Sequence, residues 1–395
     1  MTDRIESVEI HEFAYDVTDL GRDRGGQNPV YVPGSSMSLS SFAVVITTAE
    51  GIRGEYVAMW GGSPMALAQT RALAPLLVGE DPNARERILD ACKRAHRQYD
   101  HMGYGALDIA LWDVLGRRVG MPIYQLLGAY RTRLPTYAST LHGDRHGGLS
   151  SPQDYADFAE RCRDMGYPAF KIHGWCDGDP AEESAAIRAV AARVGNDMDI
   201  MVDPACELRT FADTLEVGRA CDEAKVRWYE DPMRDTGVSQ HAHRRLRQAI
   251  STPLLQTEHV RGIEPKADFA AADATDLLRA DPEYDLGITG AMKVAHVAEG
   301  FGMDVEIHAT GPAHRHCMAA IRNTSYYELA LVHPRIGNPI PPVYACEYSD
   351  QLDAIAEDGT VSVPDGPGLG VTYDWDFIER HRTAMHRVDG HGSTQ

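Results

Sequence analysis

The strongest constraint on this chain is a series of short apolar segments from residue 135 to 330, nearly every one finishing in an ionisable residue. They read PTYAST, AFKIHGW, DIMVDPA, VRWYEDPM, PLLQTEHV, DLLRADPE, DVEIHA and TSYYELA, with amphipathic stretches such as AEESAAIRAVAARVG and TGAMKVAHVAEGFG between them. Strands alternating with helices at this length predict βαβ units, hence parallel strands joined by right-handed crossovers. No GxGxxG turn follows the first segment, so eight such units fit a (β/α)8 barrel better than an open nucleotide-binding sheet.

The flanking sequence reads differently. Ile5, Val8, Ile10 and Phe13 mark an early strand, and SFAVVITT (41–48) a second, turned back at Ala49-Glu50-Gly51. Helical patterns cover 63–77, 83–99 and 106–118, the last stopped by Gly120 and Pro122. Asp108 and Asp113 inside that helix are expected to be hydrogen-bonded structural acids. The Gly and Pro content of GRDRGGQNPVYVPG (21–34) predicts a long loop. Three units follow: an α+β domain over 1–130, the barrel over 131–345 and a Gly/Pro-rich segment over 346–395.

Charge narrows the partners. Lys+Arg number 38 against 58 Asp+Glu, a net −20, which argues against nucleic acid and anionic membrane. No run approaches the roughly 18 apolar residues of a membrane span. The seven cysteines are scattered without CxxC spacing, as expected of reduced thiols in a cytoplasmic protein.

Function is expected at the strand ends. Asp203, Glu230 and Glu258 lie 27 and 28 residues apart, about one βα unit each. Consecutive barrel strands therefore set them side by side at the C-terminal mouth, where barrel active sites lie. Three converging carboxylates repel one another unless a cation sits between them, and oxygen-only ligation favours a hard ion such as Mg2+. Lys171 and His173 are two apart on one strand and so share its inward face. Asp281 and His308 end adjacent strands, close enough for the carboxylate to fix the imidazole tautomer and raise its basicity. His314 and His316, in what reads as a loop downstream, are taken as structural or lid residues.

These motifs together resemble the enolase superfamily, specifically its mandelate racemase-like subgroup. ALDIALWDVLGRRVGMPIYQLLG resembles the helix leading into that family's barrel. VDP, YEDP and TEH resemble its three metal-ligand strands, with Asp203, Glu230 and Glu258 at the ligand positions. RAD, GIT and EIH resemble its Asp-His dyad, placing Asp281 and His308 there, and Glu328 falls where the family has an acid on its eighth strand. DGPGLGV resembles the family's return to an N-terminal capping domain. Three positions depart from the pattern: His173 stands where a second Lys is frequent, and Ala205 and His259 each stand where Asn is usual.

The resemblance implies a homo-oligomer with one Mg2+ per subunit, or Mn2+ in its place, abstracting the proton α to the carboxylate of a small-molecule substrate. Lys171 is then an electrophile beside that carboxylate, and a protonated Glu328 donates to the enolate oxygen. His308 exchanges protons from one face, with His173 opposite as base or binding group. Dehydration of an aldonate or aldarate to a 2-keto-3-deoxy acid is the favoured outcome. Racemisation or epimerisation through the same enediolate is the alternative, and a cycloisomerase or a silent relative the remote ones. Arg22 and Arg24 (in 21–34), Trp60 (in a turn near 58–64) and His259 are the candidate lid and substrate-binding residues.

Overall fold

The computed structural model describes residues 3–26, 28–59 and 63–390, which leaves Trp60 outside the described residues. Thirteen strands are described: β1 Ile5–Arg22, β2 Pro29–Thr48, β3 Arg53–Val57, β4 Arg133–Thr140, β5 Ala169–His173, β6 Asp199–Asp203, β7 Trp228–Glu230, β8 Leu254–Gln256, β9 Leu277–Ala280, β10 Asp304–Ile307, β11 Tyr327–Val332, β12 Thr360–Ser362 and β13 Arg382–Asp389. They form an antiparallel sheet ordered β13-β1-β2-β3 and a larger one ordered β10-β9-β8-β7-β6-β5-β4-β11, with β12 beside β4. Neighbours in the larger sheet from β10 round to β11 all run parallel.

The parallel sheet curls into the expected barrel, with all eight strands at the predicted segments. Its inner surface is layered by the two-residue period. Tyr137, Ala169, Met201, Trp228 and Leu255 fill a buried apolar layer. Lys171, Asp203 and Glu230 lie two residues on along β5, β6 and β7, one layer nearer the mouth. No ladder joins β10 to β11, and a few bonds cross this seam: Val305 N–H donates to Asn323 O at 2.8 Å, and Ser325 and Tyr326 N–H donate to the buried Glu306 carboxylate.

The antiparallel sheet belongs to the cap. The 21–34 stretch, expected as a long loop, is mostly strand: β1 runs to Arg22 and β2 begins at Pro29, paired as Arg22↔Pro29. Gly21, Pro29, Pro33 and Gly34 sit within or at the ends of pleated strand, a placement that composition does not separate from loop. An isolated bridge joins Val30 to His142 just beyond β4, which fastens the hairpin to the barrel rim. The helix Gly105–Val119 packs on β3 so closely that a Cβ at Gly54 would lie 2.2 Å from Ala110 O. Asp113 accepts from the N–H groups of Glu55 and Leu369, each at 2.8 Å, and Asp108 from Thr289 N–H at 2.9 Å. Both acids therefore tie cap, barrel and C-terminal segment together, as structural acids should. β13 returns the chain to the cap sheet beside β1. No described helix is long and apolar enough to cross a membrane.

Candidate active site

The barrel mouth gathers the strand-end residues around a cavity of about 230 Å3, lined by His142, His173, Asp203, Glu258, His259, Tyr284, His308 and Glu328, with Asn28 and Pro29 of the hairpin above. Of the expected lid residues, Arg22 and Arg24 line an adjoining cavity instead, with Asp144, Arg145 and Trp175. The structure does not bring them to the strand-end cluster.

Lys171, 1% exposed, is the hub. Its Nζ lies 3.1 Å from Asp203 Oδ2, 3.0 Å from Glu230 Oε2 and 2.9 Å from Glu328 Oε1. A buried lysine is tolerable only with such partners. Burial disfavours its charge, but Glu230 and Glu328 outweigh that and hold its pKa well above the usual lysine value. Arg279, absent from the expected set, is the second hub. Wholly buried, it places Nε 2.8 Å from Glu230 Oε1 and donates from NH2 to Glu328 Oε2 at 2.5 Å and to the Tyr137 hydroxyl at 3.1 Å. A sequence signal was present: Arg279 on β9 lies two residues before Asp281, which directly follows that strand, the same spacing that placed Lys171 with His173.

These two cations decide the state of Glu328. Burial favours its neutral acid, but Lys171 and Arg279 prevail and hold it well below the usual carboxylate range. The expectation of a protonated Glu328 is thereby corrected: it is an anion, accepting from Lys171, Arg279 and the Ala309 N–H at 2.7 Å.

The two histidines are held differently. His308 Nδ1 is 2.6 Å from Asp281 Oδ2, and its ring stacks on Tyr284 at 5.6 Å. Asp281 in turn accepts at Oδ1 from Glu283 N–H at 2.6 Å, with His314 Nε2 3.4 Å from that same oxygen. Burial lowers the His308 pKa, yet Glu258 and the bonded Asp281 raise it further, to about 9. His173 instead has Nδ1 2.6 Å from the carbonyl of Thr140 and Nε2 3.0 Å from Asp203 Oδ2. A carbonyl can only accept, so Nδ1 donates to Thr140, and the ionised Asp203 carboxylate likewise accepts from Nε2. His314 and His316, expected in a loop, are buried on the helix Pro312–Ala320, where His316 bridges Tyr124 N–H and Leu369 O.

Two backbone breaks complete the cluster. Leu255 is an inward residue, so strict alternation would send Glu258 outward; Thr257, at φ 90°, resets the direction. Asp231 itself has φ 29° and is 1% exposed, and among the described residues neither of its carboxylate oxygens has a hydrogen-bond partner. Burial and the neighbouring Glu258 and Glu230 push its pKa well above the usual value.

Asp203, Glu230 and Glu258 each offer an oxygen, all within 4.8 Å of one another. Glu230 Oε1 is buried with only the poorly aligned Arg279 Nε, 2.8 Å away, against it. An all-oxygen set of this spacing fits a hard divalent cation. His259 stands at the cavity edge with Nε2 3.7 Å from Glu258 Oε1.

A parallel barrel carrying acids, lysine and an Asp-His pair at its C-terminal mouth, under an α+β cap, defines a class of barrel enzymes, and the comparisons assign the family. The pattern of the family described as enolase C-terminal domain-like matches residues 154–377, and that of the mandelate racemase/muconate lactonizing enzyme N-terminal domain matches 19–128. This chain belongs to the enolase superfamily, in its mandelate racemase-like subgroup.

Among its relatives, the D-gluconate dehydratase of Thermoproteus tenax is 27% identical over 297 residues, covering 72% of this chain and 56% of that protein. The chain thus spans little more than half the length of that relative. The N-succinyl-L-Arg/Lys racemase of Bacillus cereus is 28% identical over 299 residues, covering 71% of this chain and 75% of the racemase. The crystal structure of a D-glucarate dehydratase from Agrobacterium tumefaciens complexed with magnesium superposes with a TM-score of 0.84 at 29% identity, covering 96% of this chain and 99% of that one.

Proposed function

We propose that this protein is an acid-sugar dehydratase, converting an aldonate or aldarate to a 2-keto-3-deoxy acid. The observation that carries this reading is the inequality of the two histidines facing one cavity. His308, raised to about 9 and backed by Asp281, is an imidazolium at neutral pH and is set to donate from Nε2. His173 donates from Nδ1 to the Thr140 carbonyl, and its Nε2, 3.0 Å from Asp203 Oδ2, becomes the base once that carboxylate is committed to a cation. One acid and one base are what elimination requires. The names of several relatives, dehydratases of gluconate, galactarate, arabinonate and galactonate, support the same reading.

In this mechanism His173 takes the proton on the carbon next to the substrate carboxylate. The C–H electrons form an enediolate, then the carbon–carbon double bond, as the hydroxyl on the next carbon departs. His308 delivers its proton to that hydroxyl, which leaves as water, and the enol product tautomerises to the keto acid. Lys171 supplies fixed positive charge beside the developing enediolate. Asp203, Glu230 and Glu258 would hold a divalent cation, Mg2+ by analogy with the glucarate dehydratase. When bound, it polarises the substrate carboxylate and so lowers the cost of the second negative charge. Residues 1–130 cap the mouth, 131–345 carry the chemistry, and 346–395 return to the cap.

A second reading, racemisation or epimerisation, draws on the same two imidazoles and on the racemase among the relatives. Turnover of a panel of mono- and diacid sugars in deuterated solvent separates the two. The dehydratase yields keto acid and leaves recovered substrate in its original configuration. Recovery of the inverted epimer, deuterated at carbon 2 and without keto acid, would establish the second reading instead.

A further inference from the structure

We propose that Asp231, Glu258 and His259 form a second cation site beside the first, one suited to a transition-metal ion such as Mn2+ or Zn2+. The three residues each present a ligand atom within 4.8 Å of the others. His259 Nε2 lies 3.8 Å from Asp231 Oδ2 and 3.7 Å from Glu258 Oε1, too far for hydrogen bonds. Those separations are close to the roughly 3.3–3.6 Å between ligands on a tetrahedral ion with bonds of 2.0–2.2 Å.

The independent observation is the state of Asp231. Its side chain is 1% exposed, and among the described residues neither oxygen accepts a hydrogen bond. Buried carboxylates are ordinarily paired or hydrogen-bonded, so two bare oxygens turned toward another acid and an imidazole mark a place for positive charge. The fixed cations of the mouth are engaged elsewhere: Lys171 with Asp203, Glu230 and Glu328, and Arg279 with Glu230 and Glu328. The side chain of His259 is 34% exposed, which opens this corner to ions from solvent.

The donor sets also differ. Asp203, Glu230 and Glu258 offer oxygen alone, which suits Mg2+, whereas an imidazole beside two carboxylates shifts preference toward transition metals. Glu258 belongs to both groups, so filling one site alters the other. An ion in the second site would fix in one position the His259 side chain that lines the substrate cavity. The site therefore offers a means by which a transition metal changes substrate access without displacing the first ion.

Equilibrium dialysis of the chelated full chain against Mn2+, with free ion read by paramagnetic resonance, tests this. We expect two equivalents for the native chain and one each for Asp231→Asn, His259→Asn and Asp203→Asn. Protein saturated with Mg2+ should still take one Mn2+, and lose that capacity in His259→Asn. This variant sits at a part-exposed position, so it remains informative where Asp231→Asn fails to fold. A native stoichiometry of one, or a second equivalent that survives in His259→Asn, overturns the proposal. Two equivalents retained by Asp203→Asn alone would instead break the reading of the first site and leave this one standing.

Discussion

The two lips of the barrel mouth carry the same side chain, histidine, in different electrostatic settings. On the β10 side, His308 has a carboxylate of its own, Asp281, which is itself anchored by the Glu283 N–H. On the β5 side, His173 is pinned by the neutral carbonyl of Thr140, and its other nitrogen faces Asp203, an acid also engaged by Lys171. The first arrangement stores a proton on the imidazole; the second holds Nδ1 to a neutral carbonyl and sets Nε2 against a carboxylate that Lys171 shares. In the proposed mechanism, identical residues facing one cavity become acid and base through their second partners, and a racemase would want them more nearly alike.

Replacing His308 with Asn should produce the largest effect, a fall in keto-acid formation of at least about 10^3-fold, within the range for losing a general acid. Exchange of the substrate α-proton with deuterated solvent should persist, because His173 is untouched. His173→Asn should lower α-proton exchange and product formation together, by about 10^2–10^3-fold. Exchange that survives this change, with product formation intact, would move the base to the other lip. Asp281→Asn should lower turnover by about 10^2-fold through loss of imidazole orientation and basicity. Its signature is a His308 pKa that drops from about 9 toward the ordinary value, readable by NMR.

The smallest effect is a slope of stability with pH in chelated protein. The folded His308 pKa of about 9 exceeds the ordinary value of about 6.5. Its stabilising contribution is therefore complete below about pH 6.5 and is lost as pH rises through about 9, on the order of 1 kcal/mol in this open mouth. Melting curves from pH 6 to 10 should show the loss, and Asp281→Asn should flatten it. An unchanged slope in that variant would detach His308 from Asp281.

Much of this was legible in the sequence because a polar residue at the end of an apolar strand is conspicuous. Lys171, Asp203, Glu230, Asp281 and His308 all obey the two-residue period, and the period alone aims them inward. Arg279 obeys it too, yet an arginine inside a strand reads as surface until its partners, Glu230 and Glu328, are seen on other strands. Asp231 was out of reach for a different reason. It directly follows Glu230, so alternation assigns it to the opposite face, and only the positive φ at that residue places it at the mouth. The hairpin escaped because its strands are paired with each other and anchored at Val30 and His142, contacts that local composition does not encode.

The seam between β10 and β11 has a consequence for motion. Each other neighbouring pair around the ring is locked by a ladder, whereas this one is stitched by isolated bonds, among them Val305 to Asn323 and Ala309 to Glu328. Local opening should therefore begin there, and the amides flanking it should show the fastest hydrogen exchange of the barrel wall. His308 follows one edge of that seam and Glu328 lies on the other. Breathing of the wall would change their separation directly, which makes the least protected line of the barrel the one that sets the distance between the His308 imidazole and the Glu328 carboxylate.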